Sequence, residues 1–235
     1  MNTPDKNLDL IRDRIRTAAE GAGRDPAAIR LVAVSKTHPA EAIRGVAAAG
    51  QKIFGESKIQ EAQAKIPLLP PSLEWHFIGH LQSNKIRKAL PLFQLFHGVD
   101  NPDLALQMDR IAGESGLSPR ILLEVNVSGE ETKFGFQPDR LRSVIADLLA
   151  LPRVRVLGLM TMAPYSEDPL AARPYFSALR RLRDDLEQQS GAALPELSMG
   201  MSGDFEAAIA EGSTLVRIGS AIFGERPQTR PDSFS

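Results

Sequence analysis

The stretch IRLVAVSKTHPAEAIRGVAAAG, residues 29–50, decides the fold. It opens on a short, continuous apolar run rich in valine, the pattern of a strand buried on both faces. After a serine, a lysine and a proline, PAEAIRGVAAAG takes up helical spacing and stops at a glycine. A buried strand followed at once by an amphipathic helix is the repeating unit of a parallel α/β fold. The strand ends on Lys36, and a charged amine there is costly unless it is solvated, paired or chemically used.

Working outward, the same alternation fills the chain. Strand candidates are IRLVAVS, KIFG, EWHFIG, FQLFHGV, RILLEVNVS, VRVLGLMTM, ELSMGM and TLVRIG, eight in all. Between them NPDLALQMDRIAGES, QPDRLRSVIADLLAL and DPLAARPYFSALRRLRDDLEQQSG are amphipathic, with Asp, Asn or Pro near the start and Gly near the end of several. A further helix precedes the first strand: Thr3 can cap it, Pro4 suits its first turn, and Leu8, Ile11 and Ile15 share a face. The expectation is α/β, a (β/α)8 TIM-type barrel with an extra N-terminal helix. A doubly wound open sheet, the rival, would more usually have about six strands. No linker composition divides the chain, so residues 1–235 read as a single domain whose last residues, 226–235, form a polar tail.

Composition narrows the partners. With 235 residues, 43% hydrophobic and 24% charged, the chain can bury a substantial core. Its 28 basic and 29 acidic residues balance, which gives no electrostatic case for nucleic acid or a membrane surface. There are no cysteines, hence no disulfide, thiolate metal site or cysteine nucleophile. The start, MNTPDKNLDLIRDRIR, has no apolar signal segment, so a cytoplasmic location is expected.

In such barrels functional groups gather at the carboxyl ends of the strands. Here those ends carry Ser35 and Lys36, Ser57, His80, Met160, Ser202 and Gly203, and Arg217, Gly219 and Ser220. The ends of strands seven and eight suit a phosphate cradle, because small residues and hydroxyls there leave backbone amides open to an anion. An amine of lowered pKa beside a phosphate site suggests a phosphorylated aldehyde. Two ligands qualify, a phosphosugar and pyridoxal 5'-phosphate. No GxxxxGK[ST], GxGxxG or HExxH occurs, and GMSGD misses the GxSxG elbow at its last position. His76 and His80 could share a strand face, but a metal would need a third ligand.

AVSKTHP, FGESKIQE, WHFIGHLQSNK, GLMTMAP, LSMGMSGDFEAAI and VRIGSAIFGER, in that order across about residues 31–226, resemble the pyridoxal phosphate homeostasis proteins, a family similar to the barrel domain of alanine racemase. The resemblance implies a single-domain barrel in which Lys36 forms a Schiff base with pyridoxal phosphate. It also implies phosphate contacts at Ser202, Gly219 and Ser220, and Arg217 facing the pyridine nitrogen. Ser57 stands where the family usually has an asparagine near the ring, and His80 and Met160 complete the candidate cofactor contacts.

A guanidinium donating to the pyridine nitrogen keeps that nitrogen unprotonated, which weakens the electron sink that catalysis needs. Racemases similar to this barrel take a tyrosine from a further domain, and nothing in the sequence places Tyr165 or Tyr175 across from Lys36. The expectation is therefore a monomeric, non-catalytic carrier of pyridoxal phosphate, with amino acids or acceptor apoenzymes as partners at hand-over. A weak amino-acid racemase and a Schiff-base aldolase are the alternatives. Lys85 and Lys133 could serve as auxiliary amines at the mouth.

Overall fold

A computed structural model describes residues 4–130 and 132–224; the proposed Thr3 cap and the 226–235 tail lie outside them. The eight sequence-derived strands all form: β1 Arg30–Val34, β2 Ile53–Glu56, β3 Glu74–Phe77, β4 Leu95–Val99, β5 Arg120–Glu124, β6 Arg155–Met160, β7 Glu196–Ser198 and β8 Leu215–Ile218. They close in sequence order into a parallel barrel, with β1 hydrogen-bonded to both β2 and β8. Closure leaves no sheet edge, and it excludes the open sheet.

The helices are α1 Pro4–Gly21, α2 Ala40–Ala48, α3 Ile59–Lys65, α4 Ile86–Ala89, α5 Pro102–Ser115, α6 Pro138–Leu149, α7 Arg173–Ser190, α8 Phe205–Ala210 and α9 Ser220–Phe223. Their ends follow local chemistry. Asn101 caps α5 by accepting from the Leu104 amide at 2.8 Å, an interaction worth about 1 kcal/mol, and Gly116 closes the same helix in the left-handed conformation at φ 66°. The long segment 168–191 divides at Pro174: without an amide to continue the pattern, Pro169–Ala172 stays a 3₁₀ turn and α7 begins after it. The extra N-terminal helix buries Leu8, Ile11, Ile15 and Ala19 against α2, α8 and α9.

The core has two parts. Most apolar side chains lie between barrel and helices, while Val32, Leu95, Leu122, Met160 and Leu215 cluster separately inside the barrel. Two residues further along β4, β5 and β8, and so on the same inward face, stand His97, Glu124 and Arg217. Strand β6 approaches β7 closely at Gly158: a Cβ there would sit 1.9 Å from the Glu196 carbonyl oxygen.

Candidate functional site

The turn after β1 is built on a buried charge cluster. Ser35 Oγ donates to Glu56 Oε1 at 2.7 Å, and Lys65 Nζ, from the end of α3, donates to the Ser35 carbonyl, Glu56 and Glu61 at 3.1, 2.9 and 3.1 Å. Glu56 is wholly buried with Oε2 lacking a hydrogen bond, and burial raises its pKa against the pull of Ser35 and Lys65. Above this cluster the chain turns through Thr37 at φ 69°, unusual for a β-branched residue. The Thr37 amide donates to Glu61 Oε2 at 2.9 Å. Burial pulls Glu61 upward, but the Thr37 amide and Lys65 outweigh it and hold the carboxyl below its usual range. His38 is buried and stacks on Phe223 of α9 at 4.9 Å, tying this turn to the loop after β8.

Half-buried Lys36, carried by that turn, lines a cavity of about 490 Å³ together with Ser202, Gly203, Arg217, Gly219 and Ser220. Ser220 Oγ donates to Ser202 Oγ at 3.2 Å, so the loops after β7 and β8 meet through their hydroxyls at the mouth. Space is open beside Gly203, whereas a Cβ at Gly219 would lie 3.2 Å from the Val34 carbonyl oxygen. The turn before α8 is held by Asp204, whose carboxylate accepts from the Met201 amide at 2.6 Å. A larger groove of about 700 Å³, beside Leu10, Arg14 and Glu206, shares no lining residue with this cavity.

Arg217 forms part of the cavity floor. Burial pushes its pKa down to about 10, opposed by Glu124 and Asp204, and the guanidinium stays charged at neutral pH. It donates to the Thr161 carbonyl at 3.0 Å and to Ser198 Oγ at 2.5 Å, with no carboxylate within ion-pairing distance among the described residues. Glu124 is buried nearby, and burial followed by repulsion from Asp100 raises its pKa to about 7.

The structure thus brings together five of the candidates, Lys36, Ser202, Arg217, Gly219 and Ser220, and leaves three outside the cavity lining. Met160 packs in the barrel's inner cluster. Ser57 lies against Gly79, where a Cβ would be 2.6 Å from the Ser57 carbonyl oxygen. His80 pairs with Asp100 at 3.0 Å and stacks on Phe134 at 4.2 Å. Lys133 pairs with Glu130, and His76 meets His97. No group of three or more His, Asp or Glu suited to a metal occurs among the described residues. Tyr165, highly exposed, does line the cavity that Lys36 lines, a proximity no sequence spacing shows.

Lys36 shares a cavity at the barrel mouth with the adjoining hydroxyls of Ser202 and Ser220. The family model described as alanine racemase, N-terminal domain, matches residues 7–227 and places the chain among the barrels of the alanine racemase kind. Within that class the chain belongs to the pyridoxal phosphate homeostasis proteins. A protein of that name from Aquifex aeolicus is 46% identical over 222 residues, 94% of this chain and 97% of the relative. PipY of Synechococcus elongatus, solved with PLP bound, is 42% identical with a TM-score of 0.80, covering 90% of this chain and 100% of PipY. Alanine racemase of Corynebacterium glutamicum, 21% identical, shares the fold at a TM-score of 0.70, and its match covers 97% of this chain but 64% of the racemase. Among the described residues no helix is long and apolar enough to cross a membrane.

Proposed function

We propose that this chain binds pyridoxal 5'-phosphate in the Lys36 cavity, holds it by a reversible covalent bond to the lysine amine, and surrenders it without catalytic turnover. The observation that carries the reading is that one cavity is lined by an amine, two adjoining hydroxyls with glycine neighbours, and a buried guanidinium. That donor set fits the ligand's aldehyde, its phosphate and its basic ring nitrogen. When bound, the cofactor would supply an aldehyde and a potential electron sink.

The protein's own groups divide the work. Lys36 supplies the displaceable amine, and Ser202 and Ser220 donate to phosphate oxygens. Arg217 offers an N–H donor that remains protonated, and so withholds the proton that would make the ring a strong electron acceptor. An incoming amine from an amino acid or an acceptor apoenzyme would displace Lys36 for release. Proteins named for pyridoxal phosphate homeostasis, and PipY with its bound PLP, support this assignment.

A second reading, a weak amino-acid racemase, rests on Tyr165 lining the same cavity. The first test is the visible spectrum of the purified protein loaded with pyridoxal phosphate. A visible band abolished by borohydride and absent in Lys36→Ala supports the covalent site. A protein that stays colourless after loading and retains no cofactor rejects it.

A further inference from the structure

Four buried or half-buried side chains connect Arg217 to the far end of the barrel. Ser198 Oγ lies 2.5 Å from Arg217 Nη1 and 2.8 Å from His97 Nδ1. His97 Nε2 is 3.0 Å from His76 Nδ1, and His76 Nε2 is 3.0 Å from Glu74 Oε1. Ser198, His97 and His76 have no solvent exposure, and Glu74 is half-buried at the amino-terminal end of β3. The chain crosses the interior from β8 through β7 and β4 to β3.

We propose that Ser198, His97, His76 and Glu74 form a one-way hydrogen-bond chain that fixes the orientation of the Arg217 guanidinium, making His97 and His76 positioning residues for the acceptor that Arg217 meets in the cavity. The functional part rests on the reading above, that this acceptor belongs to bound pyridoxal phosphate; the chain itself does not.

Hydrogen counting sets the direction. Arginine has only donors and an ionised carboxylate only acceptors, so the two ends of the chain are fixed. Arg217 donates to Ser198, leaving the Ser198 hydroxyl to donate to His97 Nδ1. His97 must then carry its proton on Nε2 and donate to His76 Nδ1, and His76 donates from Nε2 to Glu74. Each contact holds one hydrogen, both imidazoles are neutral, and no buried nitrogen is left without a partner. The reverse order would turn a lone pair of His76 toward the Glu74 carboxylate. A second proton on His76 would set two N–H groups against each other at His97 unless His97 changed tautomer and Ser198 lost its acceptor.

The surroundings agree. Burial lowers the pKa of His76, and burial, followed by the repulsion a protonated His76 would exert and by the Arg217 charge, lowers that of His97 well below the ordinary value. Arg30 and Arg120 face the Glu74 end, with Glu196 paired to Arg30 at 2.5 Å, while Glu124 and Asp204 act on Arg217 at the other. Asp100 stands beside Glu124. The cation at one end and the carboxylate at the other polarise the intervening groups in one sense.

The test is nitrogen NMR of protein freed of cofactor and labelled at its four histidines, assigned with His76→Gln and His97→Gln. His76 and His97 should be neutral Nε2–H tautomers at neutral pH, with any titration displaced below the ordinary imidazole range. An Nδ1–H tautomer at either residue, or a midpoint near about 6.5 at either, overturns the chain. With pyridoxal phosphate loaded, His97→Phe should lower retention on the order of tenfold, the scale of one hydrogen bond to a charged group. His97→Gln, which keeps a donor toward His76, should recover part of the loss. Wild-type retention in His97→Phe overturns the positioning role, and Ser198→Ala carries the same expectation should His97→Phe fail to fold. A wild-type protein that binds no pyridoxal phosphate rejects the cofactor reading instead, and the tautomers then judge the chain alone.

Discussion

The backbone amide of Thr37 donates to Glu61 Oε2 at 2.9 Å, and Thr37 is the one non-glycine residue with a left-handed φ among those described. A left-handed residue costs about 1 to 2 kcal/mol, and a hydrogen bond to a charged carboxylate contributes about 1.5 to 3 kcal/mol. The contact is therefore strong enough to hold the turn that presents Lys36. Glu61→Ala should lose about 1 to 3 kcal/mol in urea unfolding, because it strips a partner from Lys65 as well. Thr37→Gly should stay within about 1 kcal/mol of wild type, since relief of strain offsets the added freedom of the unfolded chain. Equal losses in the two variants would show that the threonine side chain, and not its backbone conformation, is what the turn requires.

Glu124 makes stability depend on pH in the sense opposite to a paired carboxylate. Its folded pKa, about 7, lies above the unfolded value because burial and then Asp100 disfavour the charge. Between those values the folded state holds the proton and the unfolded state does not, so stability falls as pH rises through that window. Glu124→Gln should match wild type near about pH 4.5 and exceed it above about pH 7, by up to about 3 kcal/mol if the full shift is realised. Urea midpoints measured across pH should diverge with rising pH; curves that diverge on acidification would contradict the assignment.

Ser202 and Ser220 meet through their hydroxyls at 3.2 Å, so a negative charge at either place should be felt by any anion seated between the two loops. At roughly 4 Å, like charges cost about 1 to 4 kcal/mol over the dielectric range from water to a protein surface. Ser202→Asp and Ser220→Asp should each lower pyridoxal phosphate retention roughly tenfold or more, and raised salt should restore part of it. Each alanine variant should lose less. Unchanged retention in both aspartate variants would place the phosphate elsewhere.

The strands were legible because a parallel barrel buries both faces of each, leaving continuous apolar runs between helices of different period. The gathering of Lys36, Ser202, Arg217, Gly219 and Ser220 around one cavity was legible because they fall at strand ends, where order along the chain maps onto place around the rim. Met160 shows the limit of that rule: it too ends a strand, yet its side chain belongs to the inner cluster, and facing follows from register around the closed barrel. The supports of the site were hidden for a related reason. Lys65 reaches the Lys36 turn from the last residue of a helix, and His97 lies 101 residues from Ser198, so no local spacing joins them. The one available signal was a polar residue in an apolar strand: His76, His97, Ser198 and Arg217 each interrupt such a run.

Tyr165 decides between carrier and catalyst. A racemase needs a second acid or base able to reach the proton that Lys36 does not handle. Tyr165 lines the same cavity but is 94% exposed, and a side chain so open to solvent is poorly fixed for proton transfer. Holo-protein incubated for hours with L-alanine should therefore form no D-alanine beyond stoichiometric exchange, and Tyr165→Phe should leave both that result and cofactor retention unchanged. Multiple turnovers that vanish in Lys36→Ala and in Tyr165→Phe would establish the pair as a catalytic acid and base and reject the carrier reading. Turnovers that vanish only in Lys36→Ala would equally reject it, while moving the search for the second group to another residue of the rim.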